Sequence, residues 1–105
     1  MRIVETPTFT RLITHLLDDG KYHALQLTLL LRPKLGRVIP RSGGLRKLRW
    51  ALPGKGKRGG VRLIYYWDEP TETHYMLFAF RKNEQEDLTE KQLQTLSRLV
   101  REEFE

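Results

Sequence analysis

The sequence predicts an α+β domain: a curved antiparallel β-sheet with an N-terminal helical hairpin and a C-terminal helix, in the order β-α-α-β-β-β-α. Three observations lead there. Residues 43–67 alternate apolar and cationic side chains with period two on both sides of a glycine-rich loop, the pattern of a hairpin with one buried face. Residues 9–31 carry apolar side chains at helical spacing, interrupted once by Asp18-Asp19-Gly20. A second helical stripe occupies the C-terminal end of the chain.

Each element can be justified in turn. Met1 to Glu5 is a short strand with Ile3 apolar. Pro7 interrupts it, and Thr8 is placed to cap a helix in which Phe9, Leu12, Ile13, Leu16 and Leu17 form one stripe. Gly20 fits a left-handed C-cap for that helix. A second helix runs from about Lys21 to Leu31 with Tyr22, Leu25 and Leu29 on one side, and Pro33 and Gly36 stop it. Arg37 to Gly44, rich in Pro, Ser and Gly, reads as a loop. In the strand Leu45 to Leu52, Leu48 and Trp50 share one face, and Lys47 and Arg49 the other. In the strand Val61 to Trp67, the residues Val61, Leu63, Tyr65 and Trp67 face the core, while Arg62 and Tyr66 face away. His74 to Arg81 is almost continuously apolar, as a central strand covered on both faces would be. The last helix starts at Asp87 or Thr89, and Thr89 with Gln92 has capping-box spacing.

Length and composition bound the function. At 105 residues, positions 1–105 make a single domain with room for one core. There is no cysteine, so neither disulfides nor thiolate metal sites support the fold. MRIVE carries a glutamate where a signal peptide needs an apolar run, and no window approaches a membrane span, so the expected location is the cytoplasm. The net charge of +6 conceals a strong asymmetry: residues 20–67 hold twelve basic and no acidic side chains. A solvated surface normally mixes signs, so this stretch points to a polyanionic partner, foremost nucleic acid.

Motifs for other chemistries fail on context. Gly54-Lys55-Gly56-Lys57-Arg58-Gly59 matches G-x-G-x-x-G, but a strand follows it where a dinucleotide fold requires a helix. It also lacks the G-K-[ST] ending of a P-loop. The plainer reading is a hairpin loop that meets phosphates with Lys55, Lys57 and Arg58. His15, His23 and His74 lie on three different elements, and no acidic spacing suggests a metal site, so metal-independent phosphate chemistry is expected. Trp50, Tyr65 and Trp67 are read as core, whereas Tyr66 shares the face of Arg62 and could stack on a base.

The run GGLRKLRWALPGKGKRGGVRLIYYW, followed by YMLFAFRKNEQEDLT and a terminal helix, resembles a RelE/HigB-type bacterial toxin over nearly the whole chain. The combination of G-x-R-K-x-R, G-K-x-K-R-G-G-V-R and R-K-N-E-Q-x-D-L is similar to the HigB-like branch of the RelE/ParE superfamily. The resemblance implies the toxin of a type II toxin–antitoxin system, an endoribonuclease that cuts mRNA in the ribosomal A site without a cofactor. It implies a helix-turn-helix, HigA-like antitoxin, and a toxin–antitoxin complex that binds operator DNA. It places the scissile phosphate on the concave sheet face, with Lys47, Arg49, Arg62 and Lys82 as the catalytic cations. Arg46, Lys55, Lys57, Arg58, Tyr66 and Arg81 are the accompanying candidates for RNA contact.

Those residue types suit the reaction. Attack of a 2′-hydroxyl on its neighbouring phosphate needs a proton acceptor, stabilisation of the phosphorane and help for the leaving oxygen. A lysine among cations can act as the base, a role open to Lys47 or Lys82, while arginine stays charged and clamps phosphate, a role for Arg49 and Arg62. Family members that use a tyrosine or histidine near the last helix differ from this chain, which has Thr89 there. Two other functions fit the same elements: a non-enzymatic gyrase poison of the ParE kind, and a plain RNA- or ribosome-binding module. The dense cations favour cleavage.

Overall fold

The computed structural model describes residues 1–51 and 60–104. Lys55, Lys57, Arg58 and the expected strand end at Leu52 lie outside the described residues. The elements are β1 (Arg2–Glu5), α1 (Pro7–Leu16), α2 (Asp19–Leu31), β2 (Arg37–Val38), β3 (Leu45–Trp50), β4 (Val61–Asp68), β5 (Thr73–Arg81) and α3 (Glu90–Phe104). The strands form one sheet in the order β1-β5-β4-β3-β2. Strands β2 to β5 pair antiparallel, and β1 lies parallel to β5 at the far edge. The α+β class and the helix–strand order follow the expectation. The expected loop at 37–44 contains the two-residue strand β2.

Two local expectations are corrected. Thr6, not Thr8, caps α1: its Oγ1 accepts the Phe9 N–H at 3.1 Å, and Pro7 then takes the first helical position, where a missing N–H costs nothing. Gly20 does not end α1 in a left-handed conformation; it lies inside α2. Asp18 caps α2, its carboxylate accepting the Lys21 N–H at 2.8 Å, so the Asp-Asp-Gly break is a helix start rather than a helix stop. The capping box at α3 does form: Thr89 Oγ1 accepts the Gln92 N–H at 3.1 Å, and Gln92 Oε1 accepts the Thr89 N–H at 3.0 Å.

The sheet is covered on both faces. Phe9, Ile13, Leu25 and Leu29 of the helical hairpin pack on Leu48, Val61, Leu63, Tyr65 and Met76. On the opposite face Leu93, Leu96, Val100 and Phe104 of α3 pack on Leu45, Ile64, Tyr66 and Leu77. This explains the unbroken apolar run of β5, which lies between β1 and β4. A bulge leaves Leu77 without a partner between the pairs Tyr65↔Met76 and Ile64↔Phe78, and such a bulge increases the local twist. Tyr65 fastens the end of α2 to the sheet. Fully buried, its hydroxyl accepts the Gly36 N–H at 2.9 Å and donates to Pro33 O at 3.0 Å. A Cβ on residue 36 would stand 2.8 Å from Tyr65 Cε1, so glycine is required by close approach. Among the described residues, no helix is long and apolar enough to cross a membrane.

Candidate functional site

The register of β3 against β4 builds the site. Arg49 is the Cα partner of Arg62, and Lys47 that of Ile64, so Lys47, Arg49 and Arg62 share the face on which α3 packs. The Ile39 N–H bonds Leu45 O at 2.8 Å, so the odd-numbered residues of β3 direct their backbone toward β2. Arg49 and Arg62 therefore meet as a non-hydrogen-bonded pair, the closer kind, with Cα atoms about 4.5 Å apart. Arg62 is fixed from behind by Val61 and Leu63, both fully buried against the helical hairpin. Like charges directly opposite one another destabilise a sheet. Burial, and then the neighbouring Arg49, lower the Arg62 pKa, while Asp87 works the other way. Arginine nevertheless stays charged.

Asp87 is the organising residue that sequence reasoning missed. Its Oδ2 lies 3.0 Å from Lys47 Nζ, and its Oδ1 accepts the Leu88 N–H at 2.8 Å. Burial pushes its pKa up, but the hydrogen bonds from Lys47 and Leu88 and the charges of Lys47 and Lys82 prevail and leave it lowered. Lys82 extends the group from the end of β5, with Nζ 3.2 Å from Glu86 O and its own N–H bonded to Gly60 O at 3.1 Å. The result is a pair of carboxylates on the connection that leads into α3: Asp87 among Lys47, Lys82 and Arg62, and the more exposed Glu86, whose Oε1 lies 4.0 Å from Lys82 Nζ.

The remaining candidates fall elsewhere. Arg46 and Arg81 pair with Tyr65 and Val61, which places both on the helical-hairpin face. There the Arg46 guanidinium donates to Gly36 O at 2.8 Å and Lys34 O at 3.3 Å, and Arg81 donates to His15 O at 3.2 Å. Tyr66 does share the face of Arg62, four residues along the strand, and its ring stacks on Phe104 with centroids 4.5 Å apart. His15 and His23 are exposed and His74 is fully buried, so the three histidines do not meet. Among the described residues, no three His, Asp or Glu side chains are grouped to hold a metal ion. What the arrangement offers is a field of cations, Lys47, Arg49, Arg62 and Lys82, with the Asp87 carboxylate among them.

No protein-family model matches the chain. Among solved structures, that of the E. coli toxin RelE, a double-arginine mutant in the free state, matches 92% of this chain and 93% of its own. The TM-score is 0.60 at 11% sequence identity. The fold is RelE-like. With so few identical residues the likeness to RelE is one of fold alone.

Proposed function

We propose that this chain is the toxin of a type II toxin–antitoxin system, of the HigB-like branch, and that it cleaves mRNA in the ribosomal A site as a cytoplasmic, metal-independent endoribonuclease. The observation that carries this reading is the direct opposition of Arg49 and Arg62 beside Lys47 and Lys82. A sheet gains nothing in stability from opposed like charges, and a bound phosphate relieves the repulsion. RelE, whose fold the chain has, is a toxin.

In the proposed reaction, Arg49 and Arg62 hold the non-bridging oxygens of the scissile phosphate. The 2′-hydroxyl attacks phosphorus and the P–O5′ bond breaks, leaving a 2′,3′-cyclic phosphate and a 5′-hydroxyl. Its proton goes to a base, and the departing O5′ takes one from a neighbouring acid. Lys47 and Lys82 are candidates for either role. Asp87, ionised at neutral pH as any ordinary carboxylate is, is a third acceptor, one that its lowered pKa makes weaker. Lys55, Lys57 and Arg58 add three charges between β3 and β4 that position RNA. The partners are the ribosome with its message and a helix-turn-helix, HigA-like antitoxin, the complex binding operator DNA.

The test is purified protein on ribosomes programmed with a defined message, with 5′ ends mapped by primer extension. Cleavage within the A-site codon, lost in Arg49→Ala, is expected. Intact message with normal peptide synthesis would refute the reading, and intact message with a DNA-damage response in expressing cells would transfer the chain to gyrase poisoning.

A further inference from the structure

Strand β2 ends opposite Lys47, at Arg37, whereas β3 runs on through Leu48 and Arg49 to Trp50. The odd-numbered residues of β3 turn their N–H and C=O toward the β2 side, as the bond from Ile39 N to Leu45 O shows. Lys47 is met there by Arg37. Arg49 faces the place of Leu35, but the Leu35 N–H is already given to Arg32 O at 3.1 Å. Among the described residues, Arg49, an exposed residue, therefore has no partner on the β2 side.

A groove of about 610 Å³ opens at this point, with Leu35, Val38, Pro40 and Trp50 on its apolar side and Arg37, Lys47, Arg49 and the Asp87 carboxylate that pairs with Lys47 on its charged side. Val38 stands in it with half of its surface exposed, an apolar side chain on an edge strand otherwise marked by charge. The geometry points to a base-binding subsite, which holds the base of a nucleotide whose phosphate lies on the cations of the adjoining face. This rests on reading that face as an RNA-phosphate site. A nucleic-acid base has a flat apolar body and, along its edge, adjacent hydrogen-bond donor and acceptor groups. The groove offers a matching combination: an apolar wall and one backbone N–H and C=O turned the same way. The volume lies within the range of small-ligand sites. An added protein strand fits less well, because strand addition draws its affinity from a row of main-chain bonds and β3 has a single unpaired residue on this side.

Nuclear magnetic resonance of the isotope-labelled protein tests this without any cleavage. Adenosine and uridine 3′-monophosphates should shift the Arg49 amide and the Val38 methyls. Ribose 5-phosphate and inorganic phosphate should shift only the side-chain signals of Lys47, Arg49 and Arg62. Val38→Ser, at an exposed position, should weaken nucleotide binding about fivefold and leave phosphate binding unchanged. Nucleotide and phosphate shifts confined to the same residues would overturn the subsite, as would equal nucleotide affinity of Val38→Ser and the parent. Shifts along all of β2 and β3 with an acidic peptide, absent with nucleotides, would also overturn it and assign the groove to a protein. The two readings fail separately. Uncut messages with nucleotide shifts at Arg49 would remove the ribonuclease and keep the subsite, while cut messages with none would do the reverse.

Discussion

Replacing Arg62 with alanine is expected to abolish cleavage and leave stability within about 1 kcal/mol of the parent, because the structure assigns opposite signs to its parts. On the destabilising side, Ala loses the packing of a partly exposed aliphatic stem and the distant attraction of Asp87. On the stabilising side, it removes a like charge directly across from Arg49, a cross-strand conflict worth about 0.2–1 kcal/mol. The backbone is unaffected, since Val61 and Leu63 hold this stretch of β4 from the other face. Catalysis has no such compensation. One preorganised charge at a phosphorane accounts for about 10²–10³ in rate, or about 3–4 kcal/mol of barrier. Single-turnover cleavage on programmed ribosomes, paired with urea denaturation of the purified variant, reads both quantities. A variant that cuts within threefold of the parent shows the phosphate to lie elsewhere. One that loses more than about 2 kcal/mol shows Arg62 to be structural and removes the argument from opposed charges.

Three further outcomes follow from individual side chains. Asp87→Asn should lower single-turnover cleavage by about 10² if the carboxylate takes the proton, and the loss should not be recovered by raising the pH; parental cleavage would leave the base to Lys47 or Lys82. His74 is fully buried, and burial lowers its pKa below the ordinary 6.5, offset only in part by the nearby Pro33 carbonyl, which lies outside good hydrogen-bond geometry. Its neutral form is favoured by folding, so this contribution to stability is complete above about pH 6.5 and declines as the pH falls toward the depressed folded value. His74→Phe should therefore flatten the fall in melting temperature between pH 7.5 and 5, and equal slopes for the two proteins would count against it. Tyr65→Phe leaves the Gly36 N–H and Pro33 O without their partner and should cost about 1–3 kcal/mol in urea denaturation, an amount that a change below 0.5 kcal/mol would contradict.

The fold was legible wherever one face of an element is apolar and the other is not. Period two in β3 and β4 assigned Leu48, Trp50, Val61, Leu63, Tyr65 and Trp67 to a core face, and they are found there against the helical hairpin. It read the cationic face as solvated, however, whereas Leu45 and Ile64 on that face are fully buried under α3. The near-continuous run in β5 marked it as central. What failed was local and short. Asp18-Asp19-Gly20 contains both a good N-cap and a good C-cap, and only the observed chain direction decides that Asp18 starts α2. Thr6 and Thr8 flank Pro7 equally well, and the proline's preference for the first helical position selects Thr6. Strand β2 has two residues, Arg37 and Val38, too few for alternation to register.

The candidate site divides the same way, along the distance over which sequence reasoning operates. Lys47, Arg49 and Arg62 could be placed on one face because parity within a strand is a local property. The same parity sets Arg46 and Arg81 opposite their neighbours Lys47 and Lys82, but it could not reveal that on the helical-hairpin face they bond main-chain carbonyls of the α2–β2 connection and of α1. Asp87 was hidden for a stronger reason. It lies 40 residues from Lys47 in the chain, and no periodicity links them. Their meeting requires three strands to pair in order and the connection after β5 to pass back over the cations before α3 begins. A carboxylate delivered by that route, into a segment of sheet where like charges already oppose each other, neutralises part of the field while the site is empty. A phosphate arriving there competes with Asp87 for Lys47, so the same ion pair that steadies the free protein becomes the contact that substrate binding must rearrange.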